Sequence, residues 1–135
     1  MRTRAGQVKT SFLTGSRTME PNALQYFGAG LALLIGLNGL FRPMHMGLLV
    51  GLAAANKVGH IEIRVLFGSF LVTLPLLAIV MGQVALFEFY GAAAFAAAVI
   101  KTTYTFIDDC PLQDIWIGIL VDVILAALLL SSWYL

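Results

Sequence analysis

Four apolar runs dominate this chain, each about as long as the 20 helical residues that cross a bilayer core. They cover roughly residues 21–41, 61–81, 84–104 and 114–134. Of the 135 residues, 60% are hydrophobic and 11% charged, against about 25% charged in an ordinary soluble domain. In hydrocarbon the backbone must satisfy its own hydrogen bonds, so uniformly apolar runs of this length read as helices. The expected fold is all-α, an integral membrane four-helix bundle. Residues 1–20 form a polar basic tail and residues 21–135 the four-span domain.

The connections refine this picture. Arg42-Pro43 stops the first run, and Pro21 suits its first turn. Between runs one and two lies "MHMGLLVGLAAANKVGH", too short in its apolar part to cross. It reads as a short helix, interfacial or re-entrant. Gly82-Gln83 alone joins runs two and three, which predicts a tight antiparallel hairpin. Pro75 predicts a kink in run two, with neighbouring groups satisfying the carbonyl it frees.

The tail carries Arg2, Arg4, Lys9 and Arg17, and basic residues favour the cytoplasmic side. The long apolar run after it reads as an uncleaved signal anchor rather than a signal peptide. A start at Met19 would remove all four basic residues and reverse the bias. The expected location is a bacterial inner membrane with both termini cytoplasmic. The net charge of +1 offers no surface for nucleic acid. Cys110 is the single cysteine, so no internal disulfide forms.

Close packing is expected from small residues, which let helix backbones approach in lipid. Run one places Gly28, Ala32, Gly36 and Gly39 at helical spacing, and run three contains "GAAAFAAA". Both helices are expected inside the bundle.

The candidate site is a polar layer on one side of the membrane: Glu62, Arg64, Lys101, Tyr104, Asp109, Asp114 and Asp122. Asp114, Gly118 and Asp122 share one face of run four, while Glu62, Leu66, Ser69 and Thr73 share one of run two. A carboxylate near mid-membrane is costly and faces a partner or water. Asp122 is expected to pair with Arg64, with Lys101 as the alternative partner. Two readings stay open: an ion pair that ties helices together, or a pocket for a head group, small substrate or proton. Glu88 reads as a hydrated residue at the other interface. His45, His60 and Cys110 form no metal-binding pattern, and Trp116, Trp133 and Tyr134 read as interfacial anchors. No nucleophile, metal set or cofactor signature is present, so a catalytic role ranks last and the cofactor is unknown.

"EIRVLFGSF", Lys101, "DDCP" and Asp122 together resemble the small DoxX-like membrane proteins, in particular a branch without an assigned function. The resemblance covers about Leu24 to Leu130. Glu62, Arg64, Gly68, Asp109 and Pro111 match the pattern. Ser69, Lys101, Cys110 and Asp122 depart from it, standing where Gly, Arg, Gly and Glu are usual. The resemblance implies a four-helix bundle, and some relatives belong to quinone-linked redox complexes. Three functions follow as expectations: binding of a lipid-like or small ligand, an accessory subunit of a larger membrane complex, or a quinone-linked redox component. The bilayer is the expected partner in each case.

A reporter fused after Leu135 tests the topology. A cytoplasm-active reporter is expected to work there; activity of a periplasm-only reporter contradicts the assignment.

Overall fold

The computed structural model describes residues 20–49, 52–53, 56–108 and 111–135, with Asp114 described by its backbone alone. The basic tail up to residue 19, Asp109 and Cys110 lie outside the described residues. All regular structure among the described residues is helical. The elements are α1 (Ala23–Phe41), α2 (Pro43–Leu49), α3 (Lys57–Met81), α4 (Val84–Ile107) and α5 (Leu112–Leu129), followed by a 3-10 turn at Ser131–Trp133. By length and composition α1, α3 and α4 can cross a membrane. The fourth run is shorter than expected: its helix ends at Leu129, where the chain tightens into the 3-10 turn.

Local chemistry sets these boundaries. Asn22 caps α1 by accepting from the Gln25 N–H, while the Gln25 side chain accepts from the Asn22 N–H. That capping box satisfies two otherwise orphaned donors. Arg42 closes α1 through its N–H to the Asn38 carbonyl, and Pro43 opens the short α2. Asn56 caps α3, accepting from the Gly59 N–H, so this helix starts a turn before the expected residue 61. Gly82 has φ 58°, a left-handed conformation that glycine adopts without steric cost, and it turns α3 into α4.

Pro75 acts differently from a simple kink. Residues Phe67–Thr73, just ahead of it, form a widened π-helical segment. Such a segment inserts one extra residue into the helix. The inward positions record that insertion. Ile63, Phe67, Pro75 and Ala78 are buried, with partly buried Leu71 packed among them. Their spacing is therefore four, four, four and three, where a regular helix alternates fours and threes. The Thr73 hydroxyl donates to the Gly68 carbonyl at 3.1 Å within the widened segment.

Helix α1 is the central packing surface. It contacts the middle of α3 on one side and α5 on the other, and α4 packs along α5. Its small residues face these contacts as expected: Gly28, Ala29, Ala32, Gly36 and Gly39 are all buried. A Cβ on Gly36 would fall 2.5 Å from the carbonyl carbon and oxygen of Leu71. That carbonyl lies four residues before Pro75, which has no N–H to offer it. Gly39 sits equally close to the Phe67 ring. On α4 the expectation holds for one face only. Gly91, Ala94 and Ala98 are buried, whereas Ala92, Ala93 and Ala96 are exposed.

The hairpin of α3 and α4 is close only near Gly82. The segment Leu74–Met81 packs against α4, while Lys57–Leu66 packs against α1 and α2 and makes no comparable contact with α4 or α5. The two helices therefore separate away from the turn.

Gly36→Ala should destabilise the protein by about 1–3 kcal/mol, the usual cost of overpacking, because the obstructing atoms are backbone. Gly30→Ala, with nothing within 4 Å of the new Cβ, should be neutral or gain about 0.5–1 kcal/mol of helix propensity. Leu34→Ala, at a site 67% exposed, should change stability by less than about 0.5 kcal/mol. Unfolding in detergent micelles measures all three; equal losses for both glycine variants would contradict the packing.

Candidate functional site

The seam between α4 and α5 contains the ionic centre of the molecule. On α4, Phe87, Gly91, Ala94, Ala98, Lys101 and Thr105 alternate steps of four and three, and all but Lys101 are buried. On α5, buried Gly118, Leu125 and Leu129 follow the same alternation, and Asp122 fills the remaining position. Lys101 and Asp122 thus occupy core positions of an antiparallel helix pair.

Lys101 Nζ donates to Asp122 Oδ2 at 2.6 Å, with the side chains 32% and 17% exposed. A Cβ on Gly118 would meet Lys101 Nζ at 3.4 Å. The missing side chain therefore leaves room for the ammonium beside α5, one turn from Asp122. Asp122 lies seven residues before Leu129 and ten after Leu112, or about 10 and 15 Å from the helix ends at 1.5 Å per residue.

This geometry corrects the expected partner. Asp122 pairs with Lys101 and not with Arg64. Glu62 and Arg64 are both exposed, on the part of α3 that packs against α1 and α2. Tyr104 is also exposed, one turn beyond Lys101. Asp109 and the side chain of Asp114 lie outside the described residues. Of the expected layer, the structure brings together Lys101 and Asp122.

The expected polar face of α3 is closed onto its own backbone. The Ser69 hydroxyl donates to the Val65 carbonyl at 2.6 Å, and Thr73 to Gly68. The hydroxyls of Thr102, Thr103 and Thr105 likewise donate to the carbonyls of Ala98, Val99 and Lys101. Such back-bonding leaves a hydroxyl largely spent. It also explains the character of a shallow groove of about 270 Å³ lined by Phe95, Ala98, Val99, Thr102, Thr103 and Val123. With those hydroxyls bonded to the backbone, the groove's lining is mainly apolar.

Tyr90 is the exception. It is 6% exposed and belongs to the core cluster with Ala29, Ala32, Ala78 and Leu125. Its hydroxyl is the one buried side-chain polar atom among the described residues with no hydrogen-bond partner. A phenol cannot reach back to its own helix as serine and threonine do, so its partner must come from elsewhere. Nothing in the sequence pattern singled out Tyr90.

A second polar centre lies at the opposite end. Gln25, fully buried, donates through Nε2 to the Leu129 carbonyl at 3.0 Å and to Ser132 Oγ at 3.1 Å. Ser131 donates to Asn22 Oδ1 at 2.9 Å, and Ser132 to Glu88 Oε1 at 2.7 Å. Glu88 is therefore bonded into the bundle, where hydration was expected. The knot joins the start of α1 to the end of α5 and satisfies one of that helix's last carbonyls. The Asn22-x-x-Gln25 spacing was its visible trace. Nothing in spacing linked either residue to Ser131, Ser132 or Glu88.

No three His, Cys, Asp or Glu side chains converge among the described residues. Comparison with known protein families, curated proteins and solved structures finds no match to this chain.

The ion pair gives a direct test. Exposed pairs contribute about 0–1 kcal/mol, whereas breaking a buried one costs about 3–5 kcal/mol. Asp122→Leu should therefore cost about 2–4 kcal/mol in detergent, between those limits. Adding Lys101→Met should recover part of that loss, because no orphan cation remains. Arg64→Met should be additive with Asp122→Leu. A double-mutant cycle that couples Asp122 to Arg64 and not to Lys101 would refute the pairing.

Proposed function

We propose that this protein is an integral membrane four-helix bundle, spanning with α1, α3, α4 and α5, that binds a bilayer-dissolved ligand beside Lys101, Asp122 and Tyr90. The first three spans have the length and apolarity to cross. Helix α5, with 18 residues, is about 27 Å long at 1.5 Å per residue. The bilayer core is about 30 Å, and local thinning accommodates such a difference at modest cost. Kinship with the DoxX-like proteins forms part of this proposal and rests on the motifs around Glu62, Gly68, Lys101 and Pro111.

The observation that carries the ligand reading is the Tyr90 hydroxyl. A buried polar group without a partner costs about 1–3 kcal/mol, and a membrane interior has little water to relieve it. The flank beside Lys101 is open. Lys101 is a third exposed, and the first half of α3 packs away from α4. A ligand moving laterally from the lipid would approach there. An ionisable pair within spanning helices is a functional-site candidate by default, and a few placed polar groups suffice to orient a ligand.

Purification in mild detergent followed by native mass spectrometry tests this function. The expected result is a monomeric or small oligomeric protein carrying a non-protein molecule, with its occupancy reduced about fivefold or more by Tyr90→Phe, as loss of one hydrogen bond implies. Co-purification of large proteins at fixed stoichiometry, with no bound small molecule, would favour an accessory subunit and contradict the proposal.

A further inference from the structure

We propose that copies of this chain associate side by side in the bilayer. The outward ridge of α3 in one copy docks on the α4–α5 groove of the next, with the basic edge of α3 against the acidic end of α4. The surface is separate from the ligand-binding reading above, since Lys101, Asp122 and Tyr90 do not line the groove.

The ridge follows from helix geometry. At about 100° per residue, Val58, Ile61 and Val65 fall within about 60° of one another. They point away from buried Ile63 and Phe67, which mark the inward side of α3. Their exposures are 63%, 57% and 54%. Lys57 and Arg64 flank the ridge on one edge, and Glu62 on the other. Apolar exposure by itself is satisfied by lipid, so the charges decide what covers this ridge.

Charge at this end of the molecule is divided. Arg42, Lys57 and Arg64 surround α2 and the first half of α3, and Glu62 is the one carboxylate between residues 42 and 66. Asp108 caps the end of α4, and Asp114 stands in the first turn of α5. Arg42, Lys57, Arg64 and Asp108 are all exposed. The only ion pair among the described residues is Lys101–Asp122. The basic and acidic sides do not neutralise each other within one chain, because the first half of α3 stands apart from α4.

Copies inserted in one orientation bring these ends to the same leaflet. Counted from the Gly82 turn, Lys57 lies 25 residues before and Asp108 26 after. Val65 and Val99 each lie 17 residues from Gly82, and Ile61 and Thr103 each 21. A neighbour's α3 therefore presents its ridge at the height of the groove, whose α4 wall includes Phe95, Val99 and Thr103. Its Lys57 then comes level with Asp108. The groove's volume of about 270 Å³ admits apolar side chains that interdigitate, as packed helices do. Opposite charges at the rim fix which faces meet.

Energy transfer between chains labelled after Leu135 measures the association, in neutral phosphatidylcholine vesicles over a range of protein-to-lipid ratios. Lys57→Glu puts an acid in a first turn and Asp108→Lys a base after a last one, which suits both helix ends. Wild type should associate saturably. Each reversal alone should weaken association at least about tenfold, because like charges then meet across the contact. An equimolar mixture of the two variants should associate within about threefold of wild type, since alternating copies bring only opposite charges together. Val99→Trp, at a site 47% exposed, should also weaken association by filling the groove.

Wild-type chains that stay monomeric at every ratio would overturn the proposal. So would reversals without effect, or a mixture no better than its components. On a Cys110→Ser background, chains carrying Val65→Cys should cross-link to chains carrying Val99→Cys through a short bismaleimide. If a chain carrying both substitutions cross-links only within itself, α3 closes on its own α4 and the proposal fails.

Discussion

Every polar group inside a hydrocarbon slab must find its partner within the protein. That single requirement organises the molecule. Five hydroxyls return to the backbone of their own helices. The freed turn before Pro75 becomes a widened segment in place of a break. Two core positions that hold charge, Lys101 and Asp122, face each other across the α4–α5 seam. At the opposite end, Gln25, Ser131, Ser132 and Glu88 close the last carbonyls and caps. Against this background one unpartnered phenol acquires meaning that it would lack on a soluble protein, where a buried water is commonplace.

Close packing depends on the same requirement. Without a hydrophobic driving force between helices in lipid, association rests on contact area and on the few polar links. Gly36 lies against the Leu71 carbonyl because it has no side chain, and Gly39 accepts the Phe67 ring for the same reason. The widened segment of α3 shifts its inward stripe by one residue, which brings both contacts to α1 while Pro75 and Ala78 stay inward. Helix geometry, proline chemistry and glycine placement are thus one arrangement seen from three sides.

Much of the fold was legible because it depends on linear patterns. Apolar run length marked the helices, Gly82 the turn, and the Gly28-to-Gly39 spacing the packed face of α1. The partner of Asp122 was not legible for a physical reason. Counting residues along the expected spans puts Arg64 and Lys101 at similar depth. Which way a helix faces around the bundle does not follow from such a count. The early part of α3 packs against α1 and α2, which removes Arg64 from the seam. Tyr90 was hidden for the opposite reason: its position reads as core, and only the lack of a hydrogen-bond partner distinguishes it. The early end of α5 at Leu129 depends on hydrogen bonds from Gln25, a hundred residues away in the chain.

The central claim is that, among the described residues, every buried side-chain polar atom has a partner within the protein except the Tyr90 hydroxyl. Thermal or denaturant unfolding of fully delipidated protein, wild type against Tyr90→Phe, tests it most directly. The account predicts no loss of stability, or a gain of up to about 1–3 kcal/mol, because the variant removes an unsatisfied buried hydroxyl. A loss of about 1 kcal/mol or more, the value of a broken intramolecular hydrogen bond, would show that the hydroxyl already has a partner in the protein and would contradict the account.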